Sequence, residues 1–122
     1  MFDERSPIYL QIAGQIKDQI VRGELQEDEQ VMSTNQYASF YRINPATAAK
    51  GFQQLTDDKI LYKKRGIGMF VSQGARERII ADRRERFFQE KVDVMMAEAR
   101  AIGIPWDELM DYIKQREGAD SQ

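Results

Sequence analysis

The chain contains no cysteine and no histidine among its 122 residues. Their absence excludes disulfides, Cys/His zinc sites and thiol nucleophiles, and it removes the usual general base of enzymes. No apolar run is long enough to span a membrane, and the N-terminus lacks the layout of a signal peptide. We therefore expect a cytoplasmic protein that has no enzymatic activity and binds no metal or cofactor.

Charge is nearly balanced over the chain but unevenly distributed. The net charge is −2, yet six basic residues between Phe40 and Gly66 stand against only Asp57 and Asp58, which gives this segment a net charge of +4. The distribution of charge matters more than its sum for attracting phosphates. The basic residues of this segment are Arg42, Lys50, Lys59, Lys63, Lys64 and Arg65.

Residues 44–47, with the sequence Asn-Pro-Ala-Thr, predict the start of a helix. Asparagine is a strong N-cap, and proline at the first helical position loses no hydrogen bond that the helix would use. Ala48, Phe52 and Leu55 follow at the i, i+4, i+7 spacing of one buried face. The N-terminal end of such a helix is the part that helix-turn-helix proteins direct at DNA.

A second, shorter helix is predicted just upstream. Ser33 and Gln36 fit a capping box, and Tyr37, Ala38 and Phe40 are expected to form the apolar side of the helix. Residues 41–43 then form the turn between the two helices.

A β-hairpin is predicted downstream, from residues 60–64 and 68–72 with a turn at 65–67. Two helices followed by a basic hairpin are typical of a winged helix-turn-helix. The glycines at 66 and 68 lack the remainder of a dinucleotide-binding fingerprint, so they are interpreted as turn residues.

An N-terminal helix from about Pro7 to Arg22 is predicted, with Ser6 as cap and Gly23 as stop. Its core stripe consists of Ile8, Ile12, Ile16 and Ile20. Residues 26–30 are expected to form a loop. The winged domain should therefore occupy residues 1–73.

The remaining chain predicts a small two-helix dimerisation region, so the fold class is mostly α. A long helix from Gly74 to about Ile102 and a final helix from about Trp106 to Arg116 fill residues 74–117, and residues 118–122 are expected to be a disordered tail. The long helix carries more apolar surface than so small a region can cover alone. The residues expected at the dimer interface are Ile80, Phe87, Phe88, Val94, Met95, Trp106, Leu109, Met110 and Ile113.

The first 75 residues or so resemble the DNA-binding domain of the GntR family of bacterial transcription regulators. The matching segments are residues 7–12, 20–25, 43–47, 52–55 and 65–71. The short helical remainder resembles the YtrA-type subfamily. The resemblance implies a homodimer that binds a two-fold symmetric double-stranded DNA operator, usually as a repressor, with a small-molecule effector in many relatives.

One position departs from the family pattern. The family usually has Leu-Pro-Ser-x-Arg where this chain has Val-Met-Ser-Thr-Asn at residues 31–35, so Asn35 replaces an arginine that commonly touches DNA. Asparagine can still bond to phosphate or pair with adenine. The residues expected to contact DNA are Ser33, Thr34, Asn35, Arg42, Asn44, Pro45, Ala46, Thr47, Lys50, Lys64, Arg65 and Gly66.

Two alternatives remain open from the sequence. Residues 44–47 can be a good helix start and no more, and Lys63, Lys64 and Arg65 can be edge-strand charges that prevent aggregation. In that case the chain is a dimeric winged-helix module that contacts another protein without binding DNA. Duplex DNA binding at physiological salt separates the two functions.

Overall fold

The computed structural model describes residues 2–120, which form helices and one small antiparallel sheet. The predicted mostly α class with a winged helix-turn-helix is confirmed. The helices are α1 Ile8–Val21, α2 Thr34–Tyr41, α3 Pro45–Asp57, α4 Ala75–Phe87, α5 Asp93–Ala101 and α6 Trp106–Asp120, and the strands are β1 Leu61–Lys64 and β2 Gly68–Val71.

The chain divides into two compact units after Asp82, whereas the sequence placed the end of the winged domain at residue 73. The physical reason lies in the first two turns of α4. Ala75 and Ile79 are buried within the hydrophobic core of the first unit, so this part of α4 belongs to the winged domain by its packing.

Helix α1 supplies one wall of that core. Ile12, Ile16 and Ile20 are buried as the four-residue spacing predicted, and Ile8 packs at the edge of the cluster. The prediction that Ser6 caps the helix is wrong. The backbone at Pro7 is still extended, with ψ at 140°, so Pro7 takes the cap position and no side chain caps the helix.

Helices α1 and α3 approach each other closely at Gly51, a contact that no pattern in the sequence indicates. A Cβ atom at this position would lie 2.9 Å from the carbonyl oxygen of Tyr9 and 3.0 Å from Cγ2 of Ile12. The first of these atoms belongs to the backbone and cannot rotate away. Glycine is therefore required for the packing of α3 on α1.

We expect Gly51→Ala to lower the free energy of unfolding by about 1–3 kcal/mol, because overpacking exceeds the gain in helix propensity. Gly14→Ala is the matched control, since Gly14 lies within α1 and its Cβ would meet nothing within 4 Å. The free energy of unfolding of this control should rise by about 0.5–1 kcal/mol, because alanine favours the helix more than glycine does. Urea denaturation followed by circular dichroism measures both changes, and a stabilised Gly51→Ala protein would contradict the close approach.

Helix α2 begins as predicted, with the Ser33 capping box in place. Tyr37 and Ala38 are buried, but Phe40 is 68% exposed, so its assignment to the apolar side is wrong. Tyr41 takes that side instead, because it follows Tyr37 by one helical turn and their ring centroids lie 4.4 Å apart.

The hairpin has the predicted strands and turn, with Leu61 opposite Val71 and Lys64 opposite Gly68. Residues 28–30 of the loop predicted at 26–30, together with Val31, are more than a plain loop. They pair with the free edge of β2, where Val31 N donates to Met69 O at 2.9 Å and Val71 N donates to Glu29 O at 3.0 Å. This pairing needs a partner some 40 residues away, which local patterns do not reveal.

In the second unit the helical path continues as predicted, but a π-helical turn at Phe88–Val92 separates α4 from α5. Helix α6 extends to Asp120, so residues 118–120 of the expected tail are helical in the structure. Residues 121 and 122 of that predicted tail lie outside the described residues.

Candidate nucleic-acid interface

The start of α3 faces solvent with its cap already formed. Asn44 Oδ1 accepts a hydrogen bond from Ala46 N at 2.7 Å, and Pro45 occupies the first helical position. Asn44, Pro45 and Ala46 are exposed, and Thr47 is half-buried. The unpaired N–H groups and the dipole of a helix N-terminus favour an anionic partner. The first turn of α3 can therefore meet phosphates or base edges without rearrangement.

At the start of α2, the three predicted contact residues differ in exposure and in the hydrogen bonds that their side chains already make. Ser33 Oγ accepts from Gln36 N at 3.1 Å, so the cap uses one of its acceptor sites, while the hydroxyl can still donate to a ligand. Thr34 is half-buried, whereas Asn35 is exposed. Within residues 2–120, the Asn35 amide has no hydrogen-bond partner, so both its donor and its acceptor remain available to a ligand.

Lys50 extends across to α1. Its ammonium nitrogen lies 4.1 Å from the centroid of the Tyr9 ring, a cation–π geometry that joins residues 41 positions apart. The sequence predicted a basic side chain near the start of α3 but could not predict this partner.

Arg42 and Arg65 are the two exposed arginines of the predicted site. Arg42 caps the end of α2 with φ at 55°, a left-handed conformation, and Arg65 stands in the hairpin turn. Neither guanidinium makes an ion pair in the part of the chain that the structure describes. Both retain their full charge and all their donors for a phosphate.

The wing tip consists of residues 65–67, and Gly66 adopts a positive φ of 77° as a turn glycine. Lys64 is held against the hairpin, with its nitrogen 4.6 Å from the centroid of the Phe70 ring. Ile67 is 64% exposed at the tip, and the sequence analysis did not include it among the site residues. An apolar residue in an exposed turn was the available signal.

Gln30 binds the wing tip through a hydrogen bond to its backbone. Its side-chain amide donates to Ile67 O at 3.2 Å, and it lies so close to Gly68 that a Cβ there would come within 2.5 Å of Gln30 Nε2. Gly68 also has a φ of 149°. The Gln30 side chain is flexible and can move aside, so it is the backbone conformation at residue 68 that favours glycine.

A second support joins the base of the hairpin to the residue 28–31 segment. The Asp28 carboxylate accepts hydrogen bonds from the Tyr62 hydroxyl at 2.8 Å and from Gln73 Nε2 at 3.3 Å. The bond from Tyr62, together with that from Gln73, lowers the pKa of the Asp28 carboxyl below its ordinary value. The same contact raises the pKa of Tyr62.

The two carboxylates of the basic segment lie at the far end of α3 from its cap. Asp57 Oδ1 accepts from Gln53 Nε2 at 2.9 Å, and Asp58 Oδ2 lies 3.7 Å from the Lys17 nitrogen. Negative charge is thus kept away from the N-terminal turn of α3, which leaves that turn attractive to phosphate.

Arg76 and Arg78, to which the sequence assigned no site, bind backbone carbonyls. Arg76 Nε donates to Val21 O at 3.0 Å, at the end of α1. Arg78 Nη1 donates to Lys59 O at 3.1 Å and to Gln73 O at 3.0 Å. These contacts fasten the start of α4 to the last residue of α1, to Lys59 just after the cap of α3, and to Gln73 just before α4.

Among residues 2–120, no group of three or more acidic side chains is placed to hold a metal ion. The same part of the chain contains no helix long and apolar enough to cross a membrane.

No protein-family model matches the chain. Two curated proteins from Bacillus subtilis (strain 168) are similar to it over nearly their whole length. The HTH-type transcriptional regulator YhcF is 27% identical over 113 residues, which cover 93% of this chain and 92% of the relative. The HTH-type transcriptional repressor YtrA is 26% identical over 115 residues, which cover 93% and 88% of the two chains.

A solved structure agrees in fold as well as in sequence. The crystal structure of a transcriptional regulator of the GntR family from Bacteroides thetaiotaomicron is 32% identical to this chain and superposes with a TM-score of 0.78. The match covers 93% of this chain and 98% of that one. It therefore includes both the winged domain and the helical second unit.

Proposed function

Because the chain belongs to the GntR family of transcription regulators, in its YtrA-type branch, we propose that it represses genes by binding a two-fold symmetric operator as a homodimer. DNA is its partner as a member of this family. Regulation in the cytoplasm, without catalysis, is the role we propose.

The observation that carries the proposal is the exposed first turn of α3, whose cap is complete and which is flanked in sequence by Arg42 and Lys50, neither of which makes an ion pair within residues 2–120. Asn44, Ala46 and Thr47 are proposed to face base edges or fix α3 on the backbone. Asn35 is proposed to replace the usual arginine with an amide contact. Phosphate contacts are proposed for Arg42, Lys50, Lys64 and Arg65, and Ser33, Thr34, Pro45 and Gly66 are proposed to line the same surface.

Homodimerisation is supported by how few residues the second unit buries. In its described part, Ala99 is the one buried residue, while many large apolar side chains are exposed. Such surface is usually covered by a partner. The exposed residues are Phe87, Phe88, Val94, Met95, Ile102, Trp106, Tyr112 and Ile113, while the predicted interface residues Ile80, Leu109 and Met110 are half-buried. A second copy of the chain is the proposed cover.

A symmetric dimer sets two recognition helices about 34 Å apart, which matches successive turns of the major groove. We propose that any small-molecule effector acts by favouring one arrangement of the two DNA-binding domains over another, since differential affinity is its only means of shifting the equilibrium.

The proposal is tested by single variants on an operator selected from random duplex DNA. Lys50→Ala and Arg65→Ala should each lower the slope of log affinity against log salt by about one for each half-site, because a phosphate contact is lost. Thr47→Ala should weaken binding to the selected operator by about 1–3 kcal/mol per base contact. Its affinity for nonspecific DNA should change little. Fluorescence anisotropy across salt concentrations measures both quantities.

Lys114→Ala is the matched control, since Lys114 is exposed on α6 in the second unit. Its salt slope should equal that of the unaltered protein. Failure to select any duplex sequence, with the protein folded and dimeric, would favour the alternative function of a winged-helix module that binds another protein.

A further inference from the structure

Lys50 contacts the aromatic ring of Tyr9 instead of forming an ion pair with a carboxylate. The lysine is exposed, yet its nitrogen lies only 4.1 Å from the ring centroid of a half-buried tyrosine. In the part of the chain that the structure describes, no carboxylate lies within ion-pair distance of Lys50. The side chain is therefore ordered by a neutral ring and not by an opposite charge.

This distinction matters for an anionic partner. A carboxylate would order the lysine but would also cancel its charge, whereas an aromatic face leaves the net positive charge available. A lysine that is already ordered also loses less conformational entropy when it binds. Lys50 thus combines a fixed position with an undiminished charge.

The position of the ring follows from the packing of α1 on α3. Gly51, the residue after Lys50, allows the Tyr9 backbone to approach α3 so closely that a Cβ atom would be 2.9 Å from the Tyr9 carbonyl. Ile12, fully buried on the next turn of α1, anchors this part of the helix in the core. Tyr9 is consequently held beside Lys50 by the core and not by the contact alone.

We infer that Tyr9 is a positioning residue for DNA recognition, whose ring holds the Lys50 ammonium ready for a phosphate. The inference rests on the proposed function, in which Lys50 contacts the operator backbone. In this arrangement α1 contributes to DNA affinity through Lys50, although the helix that reads the groove is α3.

The test is a double-mutant cycle on the selected operator with the full-length protein. Tyr9→Leu removes the ring and should weaken binding measurably, by at most about 5- to 30-fold for a dimer, because the benefit of ordering Lys50 cannot exceed the energy of one exposed cation–π contact in each half-site. Tyr9→Phe retains the ring and should bind like the unaltered protein. Tyr9→Leu should have no further effect when Lys50→Ala is already present.

Each remaining outcome has a definite meaning. Unchanged binding by Tyr9→Leu, with Lys50→Ala weakened, would overturn the positioning role and leave the proposed DNA contact of Lys50 intact. Equal losses in Tyr9→Phe and Tyr9→Leu would assign the effect to the hydroxyl and overturn the role of the ring. Unchanged binding by Lys50→Ala would remove Lys50 from the proposed site itself, and the inference would fall with it. Thermal unfolding curves verify that each variant is folded at the assay temperature.

Discussion

Phe87→Glu is expected to convert the protein to a monomer and to weaken operator binding by about 100- to 10,000-fold. Phe87 is 55% exposed in a unit whose described part buries only Ala99. A carboxylate at an apolar interface must lose its hydration without gaining a partner, which opposes association. Separate half-site domains then lose the effective concentration that a dimer provides, and this accounts for the size of the effect.

Gln115→Glu provides the control, because it adds the same charge at an exposed polar position of α6. It should remain dimeric and bind the operator with nearly unchanged affinity. Analytical ultracentrifugation gives the mass of each variant, and fluorescence anisotropy gives its affinity. A dimeric Phe87→Glu protein with full affinity would remove this side chain from the proposed interface.

Phe52→Ala should lower the free energy of unfolding by about 3–5 kcal/mol, the usual cost of removing a buried phenylalanine. The ring is 2% exposed on α3, and it meets Tyr37 of α2 edge to face with centroids 5.4 Å apart. The loss therefore leaves a cavity between the two helices of the helix-turn-helix. Since a small domain is stable by only about 5–15 kcal/mol, much of the margin would disappear.

Phe40→Ala is the comparison for this second variant, because the same residue type on α2 is 68% exposed. It should change stability by less than about 0.5 kcal/mol. Both proteins need to be unfolded in urea at the same protein concentration, because in the proposed dimer the apparent stability depends on that concentration. Similar losses in the two variants would contradict the burial that distinguishes them.

The sequence predicted those parts of the fold that local chemistry determines. The Ser33 capping box and the Asn44 cap each involve residues two or three positions apart, and the hairpin turn at 65–67 is equally local. Phe40 was misassigned because three apolar residues on a short helix do not reveal which of them the neighbours cover.

Contacts between distant residues were out of reach of sequence patterns. The pairing of residues 28–31 with β2 and the Tyr9 contact of Lys50 depend on the packing of separate elements. The same holds for Arg78, whose guanidinium binds two backbone carbonyls that no local pattern indicates. For the candidate site, residue types were predictable, whereas the direction and partner of each side chain were not.

The π-helical turn at Phe88–Val92 also sets the angle about the helix axis between the side chains of α4 and those of α5. It accommodates more residues per turn than an α-helix, so a strict seven-residue repeat through it does not stay on one line. Deleting one residue from this turn would restore a regular α-helix and leave the side chains of α5 close to their present direction relative to Phe87, because four α-helical residues of about 100° each turn through nearly the same angle as five residues of the wider turn. The width of this turn, independently of its composition, thus decides which side chains of α5 share a direction with the phenylalanine pair.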